Sequence, residues 1–315
     1  MREALLNLNS TSLLASLDPR GPVAERIADV WWIMFGLGVA VFVLFVVLLV
    51  IGLYRTRDSD GESAARALIV GGGTVLPLVV VTVIFGVSLA AMGVVTVGDA
   101  DDPVVIEVTG HQWWWEVNYP NAQVTTANEI HIPVGETVQF HLTSADVVHS
   151  FWIPSLGGKL DLLPERVNKL EFSADEVGEY RGACAEFCGT QHAKMGFVAV
   201  AEPRDDFERW LDSQSDPASE PVEDIEAQGQ EVFVDVGCGD CHAIEGTAAQ
   251  GSTGPDLTHL ASRETLAAAT IRNTSDNLAE WVGDPHQIKE GVNMPNLEIG
   301  DEDMAALLAY LESLE

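Results

Sequence analysis

Two stretches of this 315-residue chain stay uncharged for far longer than a water-soluble fold allows. Residues 30–54 and residues 67–98 contain no Asp, Glu, Lys or Arg. Roughly 20 apolar residues at ~1.5 Å each cross a ~30 Å hydrocarbon layer, so both runs are predicted to span a membrane. The alternative, a pair of buried core helices, fits poorly because soluble helices seldom go this long without a charge. Gly71–Gly73 and Pro77 interrupt the second run, a kind of break that membrane helices tolerate. The connection between the runs carries Arg55, Arg57 and Arg66, whereas Asp99, Asp101 and Asp102 follow the second and no base recurs before Lys159. An excess of basic residues marks the cytoplasmic side, so everything after residue 98 is expected outside the cell. Arg2, Arg20 and Arg26 oppose this weakly. Residues 5–17 lack a clean signal-peptide core and are expected to be part of a short outer tail.

The chain divides into a tail (1–29), a two-helix membrane hairpin (30–98), a first outer domain (99–203), a linker (204–226) and a second outer domain (227–315). The first outer domain is predicted all-β, since VVIEVTG, EIHIPVG, TVQFHLTS, NKLEFSA and GFVAVAE alternate apolar with polar residues between turn signals. The linker stretch SQSDPASEPVED has the Ser, Pro and acid content of a flexible connection. The second outer domain is predicted all-α, flanked by the amphipathic segments IEAQGQEVFVDV and DEDMAALLAYLESL, with Asp301 as N-cap of the latter. The net charge of −32 excludes a nucleic-acid partner, because a phosphate backbone would be repelled. So large a self-repulsion suits a salt-rich setting, where it is screened, better than a merely acidic outer face.

All four cysteines fall in two tight pairs, Cys184/Cys188 and Cys238/Cys241, each with histidine close behind. An outer location permits disulfides, but this spacing points first to metal or haem. In CAEFCGTQHAKM, Cys184, Cys188, His192 and Met195 can all donate to a soft metal, and His149 in DVVHSFWIP is a further candidate. A zinc site would use Cys184, Cys188, His192 and a distant histidine and leave Met195 idle. A methionine as weak extra ligand is a copper habit.

The segments HSFWIPSLGGKLDLLPERVNKL, GEYRGACAEFCGTQHAKM and GHQWWWEV resemble cytochrome c oxidase subunit II. The resemblance covers about residues 26–203 and rests on a highly specific motif. It implies a cupredoxin-like sandwich holding the binuclear copper centre CuA, with Cys184 and Cys188 as bridges and His149 and His192 as terminal ligands. Met195 is then the weak ligand and Glu186 supplies a backbone carbonyl, its side chain being a candidate ligand to Mg²⁺ at the interface with the catalytic subunit. It also implies that Trp113 lies at the surface near the copper as an electron entry point; the alternative for Trp113–Trp115 is core and interface anchoring. His111, His131 and His141 are expected to be structural.

Cys238, Cys241 and His242 form C-x-x-C-H, the attachment signature of c-type haem, in which two thiols bond the macrocycle and the imidazole ligates iron. A thioredoxin-like pair would need a βαβ setting that is lacking here. Residues 227–315 resemble a class I cytochrome c, which implies Met294 as sixth ligand, in the loop GVNMPNLEIG before the last helix. His259 and His286 are the weaker candidates, and Met304 is expected in the core. Pro255 is expected to orient His242 through its carbonyl, and Trp281 to pack near the haem.

Together these resemblances imply an electron-input subunit of a terminal oxidase. A cytochrome c or small copper protein would supply haem c, CuA would follow, and a catalytic subunit I, with subunit III, would reduce dioxygen. Neither span contains a histidine, so the oxygen-reducing site is expected on another chain. Fusion through a flexible ~20-residue linker would give an effective concentration of order mM. The same architecture could serve a nitric oxide reductase, or the chain could be a membrane-anchored copper-delivery protein. A quinol oxidase is disfavoured because that branch loses the copper ligands. The chain departs from the family in having no glutamate at the start of the second span, Glu62 lying before it, and in having Pro164–Arg166 as Pro-Glu-Arg where the family has Pro-Gly-Arg.

Overall fold

The computed structural model describes residues 17–54, 61–95 and 103–315. The tail over 1–16, Arg55 and Arg57, and Asp99, Asp101 and Asp102 lie outside the described residues.

The membrane unit contains α1 (Pro22–Tyr54) and a second helix built from α2 (Glu62–Val70), a π-helical turn (Gly71–Val75) and α3 (Leu76–Val95). Their apolar windows have mean hydropathy 3.1 and 2.5, and no part of either window is buried within the protein. A soluble core helix would be buried, so the membrane expectation stands. The first helix begins earlier than expected, at Pro22, a residue favoured at the first helical position. An uncharged run marks only the hydrocarbon-spanning part, whereas the helix continues past it through Glu25, Arg26 and Asp29. At Pro77 the missing N–H and the ring fall on the carbonyl of Gly73, and the chain meets this with a widened turn instead of a break.

The first outer domain is a β-sandwich. One sheet has the order β3 (Val124–Ala127), β2 (Trp114–Tyr119), β1 (Val104–His111), β5 (Val138–Ser144), β8 (Asn168–Phe172). The other has β4 (Glu129–Pro133), β10 (Gly196–Glu202), β9 (Gly178–Cys184), β6 (His149–Trp152), β7 (Leu160–Leu162). Pairs β1/β5 and β4/β10 are parallel, the rest antiparallel. Along β5, Val138, Phe140, Leu142 and Ser144 are buried alternately, as a half-buried strand requires. Phe140 of one sheet meets Phe151 of the other at 5.2 Å, and Trp115 meets Phe197 at 5.3 Å. The Pro-Glu-Arg turn keeps a left-handed residue, with Glu165 at φ 61°, a conformation glycine adopts without cost.

Two of the expected boundaries move. The end of the tail is not loose: the Arg20 N–H donates to the Ser155 carbonyl (2.7 Å) and the Arg20 carbonyl accepts from Asp175 N–H (2.8 Å). The linker is not a free tether. It opens with α4 (Arg204–Gln214), which buries Phe207 and stacks Trp210 on His131 at 3.9 Å. Apolar residues at helical spacing, Phe207 and Trp210, were hidden among acids. The irregular remainder is fixed by Ala218 N–H to the Glu245 carbonyl (3.1 Å) and by the Asp216 carbonyl to His259 (3.0 Å).

The second outer domain contains α5 (Asp224–Asp235), the hairpin β11 (Thr265–Leu266) and β12 (Ile271–Arg272), α6 (Ser275–Gly283), α7 (Pro285–Ile288) and α8 (Asp301–Glu312). Helices α5 and α8 cross closely at Gly229, where a Cβ would stand 2.0 Å from the Ala306 carbonyl oxygen. Beside the crossing, Phe233 and Tyr310 meet edge to face at 6.0 Å. Asp301 is the first helical residue and Gly300 the N-cap. The acids Asp301, Glu302 and Asp303 favour the start of α8 through the helix dipole, not through a side-chain cap.

Candidate copper and haem sites

The hairpin β9–β10 carries the first candidate site. Cys184 ends β9, a loop with a 3₁₀ turn (His192–Lys194) follows, and Gly196 opens β10. The loop is closed at its base by Cys184 N–H to the Met195 carbonyl, 2.9 Å. His149 opens the neighbouring strand β6, held beside Cys184 by the pairing of Phe151 with Cys184 and by Ala185 N–H to the Ser150 carbonyl (2.9 Å). Gly182 makes room beneath: a Cβ there would lie 2.1 Å from the Phe197 ring.

The donors converge around the two sulfurs. Cys184 Sγ lies 3.8 Å from Cys188 Sγ, 3.9 Å from His149 Nδ1 and 3.2 Å from the Glu186 carbonyl oxygen. Cys188 Sγ lies 3.7 Å from both His192 Nδ1 and Met195 Sδ. The thiols are free, and their separation is far beyond the ~2.05 Å of a disulfide. Donors sharing a metal at ~2.0–2.3 Å stand roughly 3.5 Å apart, so this donor set has the spacing of a metal site, and its thiolate and thioether donors have the softness that suits copper. His149, Cys184 and Met195 are buried, as is Cys188. The neighbouring Cys188 thiol, against the opposing effect of burial and with help from His149, holds the Cys184 thiol well below the usual range. Its hydrogen bond with Cys184, then burial, and then the charge on Cys184 push Cys188 up. For His149, burial alone would lower the pKa, but Cys184 and Asp146 on its two sides outweigh it and raise it.

Three supporting residues escaped the sequence reading. Asp146 Oδ1 lies 2.8 Å from His149 Nε2 and fixes the ring so that Nδ1 faces the sulfurs. Gly110 leaves room for that ring, since a Cβ would come within 2.8 Å of it. Gln112 Nε2 donates to the Cys188 carbonyl at 2.7 Å. Only Asp146 left a signal, an acid three residues before a candidate histidine.

The tryptophans divide. Trp115 is fully buried against Phe151 and Phe197, and Trp114 stacks on His111 at 4.2 Å. Trp113 precedes the strand and is 8% exposed, which corrects the expected surface position. Its indole N–H donates to the Cys188 carbonyl at 3.1 Å, and its own carbonyl accepts from Lys289 of the second outer domain at 2.9 Å. That domain covers it. His131 lies between Glu202 (2.7 Å) and Glu129 (3.6 Å), and His141 contacts Gln139 at 2.7 Å, so His111, His131 and His141 take packing or ion-pair roles. Glu186 is exposed.

In the second domain, Cys238 sits in a 3₁₀ turn after Gly237, with Cys241 exposed and His242 half-buried. His242 Nδ1 donates to the Pro255 carbonyl at 2.7 Å, as expected, which leaves Nε2 as the free ring nitrogen. Burial lowers the His242 pKa and so favours the neutral, ligating form. A Cβ at Gly254 would lie 2.6 Å from that imidazole, and one at Gly251 would lie 2.3 Å from the Cys241 backbone, so the motif is cradled by glycines. The donor set and the cradle fit a covalently attached haem. Met294 lies half-buried in the irregular loop before α8. His259 has both ring nitrogens against backbone carbonyls (2.8 and 3.0 Å), and His286 Nδ1 accepts from Gly291 N–H at 3.2 Å. Met304 and Trp281 pack against the domain core.

Residues 121–202 match the family model described as cytochrome c oxidase subunit II, periplasmic domain, and residues 226–315 match that for cytochrome c. The chain is 39% identical to cytochrome c oxidase subunit 2 of Alkalihalophilus pseudofirmus, over 96% of this chain and 91% of that protein. It is 31% identical to cytochrome c oxidase subunit 2 of Bacillus subtilis, over 96% and 92% respectively. Among solved structures, the periplasmic domain of subunit II of cytochrome oxidase of Bradyrhizobium japonicum aligns with TM-score 0.36 and 31% identity, covering 38% of this chain and 96% of that one.

Proposed function

The chain belongs to the cytochrome c oxidase subunit II family and carries a cytochrome c domain behind its copper-binding domain, and from that premise we propose its electron path. It is a membrane-anchored subunit of an oxidoreductase complex and pairs with a catalytic subunit I. In our reading, a soluble cytochrome c or small copper protein outside the cell delivers single electrons to haem c. From there they pass to the binuclear CuA centre and on to subunit I, where dioxygen is reduced to water. Cys184 and Cys188 would bridge the copper pair, with His149, His192, Met195 and the Glu186 carbonyl completing its shell. Cys238 and Cys241 would bond the haem, with His242 and Met294 as axial ligands. When bound, the two groups supply one-electron carriers. One observation carries this proposal: donors from separate chain segments stand 3.7–3.9 Å around two free sulfurs, with Met195 among them, where zinc would have no use for it.

The residues of the chain hold these donors still. Asp146 fixes one histidine ring, the Pro255 carbonyl fixes another, and Gln112 and Trp113 together pin the Cys188 carbonyl. A site that cannot relax when its charge changes suits electron transfer more than substrate turnover. The exposed Glu186 carboxylate is the proposed contact to Mg²⁺ at the subunit I interface. Subunit III and lipid are proposed neighbours of the apolar helix faces, and both outer domains are proposed to lie outside, a reading supported by the basic residues between the two spans.

The test is purification of the complex with metal analysis, EPR and gas consumption. The proposal expects covalent haem, two coppers sharing one unpaired electron, and oxygen uptake. Consumption of nitric oxide in place of oxygen would reassign the chain to a reductase. A single exchangeable copper would make it a delivery protein, and zinc in the site would end the proposal.

A further inference from the structure

Lys289 is one of three basic residues between 227 and 315, and it is 2% exposed. Among the described residues its ammonium has no carboxylate partner. It donates to the Trp113 carbonyl of the copper domain at 2.9 Å and to the Ala267 carbonyl of its own domain at 3.3 Å. A buried cation is tolerated only when hydrogen-bonded, so its place between two domains calls for a reason. Burial, with Lys194 adding to it and Cys188 opposing, pushes its pKa down to about 7.

The second carbonyl belongs to an unusual turn. Ala267, Ala268 and Ala269, at the tip of the β11–β12 hairpin, all adopt left-handed backbone, with φ of 53°, 57° and 54°. Each such residue is unfavourable for anything but glycine. The turn aims three successive carbonyls outward. Ala267 accepts from Lys289, Ala268 from the Gly196 N–H (3.1 Å), and Ala269 from the Arg181 guanidinium (2.8 Å). Gly196 and Arg181 belong to the β9–β10 hairpin that carries the candidate copper ligands. Around Lys289 the same face is stitched further. Asn293 donates to the Gln112 carbonyl at 2.9 Å, and Gln191 and Lys194 donate to the carbonyls of Glu290 and Ile288.

We propose that Lys289 and the left-handed turn Ala267–Ala269 are positioning residues that clamp the haem-binding domain onto the copper-ligand hairpin, over Trp113. The clamp makes haem c the sole donor to that face and shuts out external donors. This rests on the electron path proposed above. The step it serves moves one electron from the haem iron to the copper pair, oxidising the first and reducing the second, with no bond made or broken.

The test uses the full-length chain in its complex, with variants Lys289→Met, Arg181→Leu, their combination, and Lys289→Arg. Two rates are measured: haem-to-copper transfer after flash reduction of the haem, and direct reduction of the copper pair by hexaammineruthenium(II). Each lost hydrogen bond to a charged group lowers the docked-to-undocked ratio by roughly 10–100-fold. The double variant is expected to transfer at least about tenfold more slowly and to open the copper pair to the ruthenium reagent, with Lys289→Arg closer to wild type. A wild-type transfer rate together with a still-shielded copper pair would overturn the clamp. If the double variant loses its purple band, Lys289→Met decides on the same two rates. Wild-type protein without a copper pair or covalent haem would fail the electron path itself, a result separate from either.

Discussion

Replacing Asp146 by alanine tests whether ring orientation, and not donor identity alone, makes the copper site. Three donors lose an acceptor in this variant: His149 Nε2 (2.8 Å), Gln112 N–H (2.7 Å) and Val147 N–H (2.6 Å). Without the carboxylate the imidazole is free to rotate or change tautomer, so Nδ1 no longer faces Cys184 by default. Loss of a carboxylate behind a ligating histidine typically costs about 10–100-fold in metal affinity, or ~1.4–2.8 kcal/mol. Asp146→Asn separates the effects, because its carbonyl oxygen can still accept from Gln112. The assay is copper retention against a graded chelator, read by the purple band, with the EPR pattern reporting whether both coppers remain equivalent. The expected order of affinity is wild type, then Asn, then Ala. If Asp146→Ala retains copper as tightly as wild type with an unchanged spectrum, packing by Gly110 alone orients His149 and the carboxylate argument is wrong.

Met294→Ala is expected to leave haem covalently attached yet lower its potential, since a methionine ligand raises it; a redox titration showing no change would remove Met294 from the iron. Gly229→Val forces a side chain into the 2.0 Å gap against the Ala306 carbonyl and is expected to separate α5 from α8, lowering the melting temperature of the haem domain through a loss of ~1–3 kcal/mol or more. For His131, burial lowers the pKa but Glu129 and Glu202 outweigh it, so the folded value is raised. Its stabilisation is therefore complete below the ordinary value of about 6.5 and fades as pH rises through the folded value. Melting curves from pH 5 to 9 should show that slope in wild type and lose it in His131→Gln.

The candidate copper donors stood out in the sequence because four of them occupy one short loop, and a loop of that length has few ways to keep them apart. His149 came from the resemblance, and its place beside Cys184 depends on the β6–β9 pairing, which no local pattern encodes. The membrane helices were legible because the bilayer imposes length and apolarity residue by residue. Their ends were not, since Glu25, Arg26 and Asp29 are compatible with a helix in water as much as with a tail. The same limit hid α4: its acids suggested a solvated linker, and only Phe207 and Trp210, buried or stacked on His131, reveal a helix with one committed face.

The docking of the two outer domains lay furthest from the sequence, for a physical reason. Lys289 and Trp113 are 176 residues apart, and the acceptors that bind the domains are largely backbone carbonyls, which every residue type offers. A turn of three alanines carries no turn signal at all. Its left-handed backbone is favoured only by what it docks against, so the strain is intelligible once Arg181, Gly196 and Lys289 are present together. The flexible-tether estimate fails for the same reason. With α4 packed on one domain and Ala218 and Asp216 tied to the other, the connection no longer sets how often the domains meet. The interface does, and its few charged hydrogen bonds are therefore where changes in electron delivery between the domains should be sought.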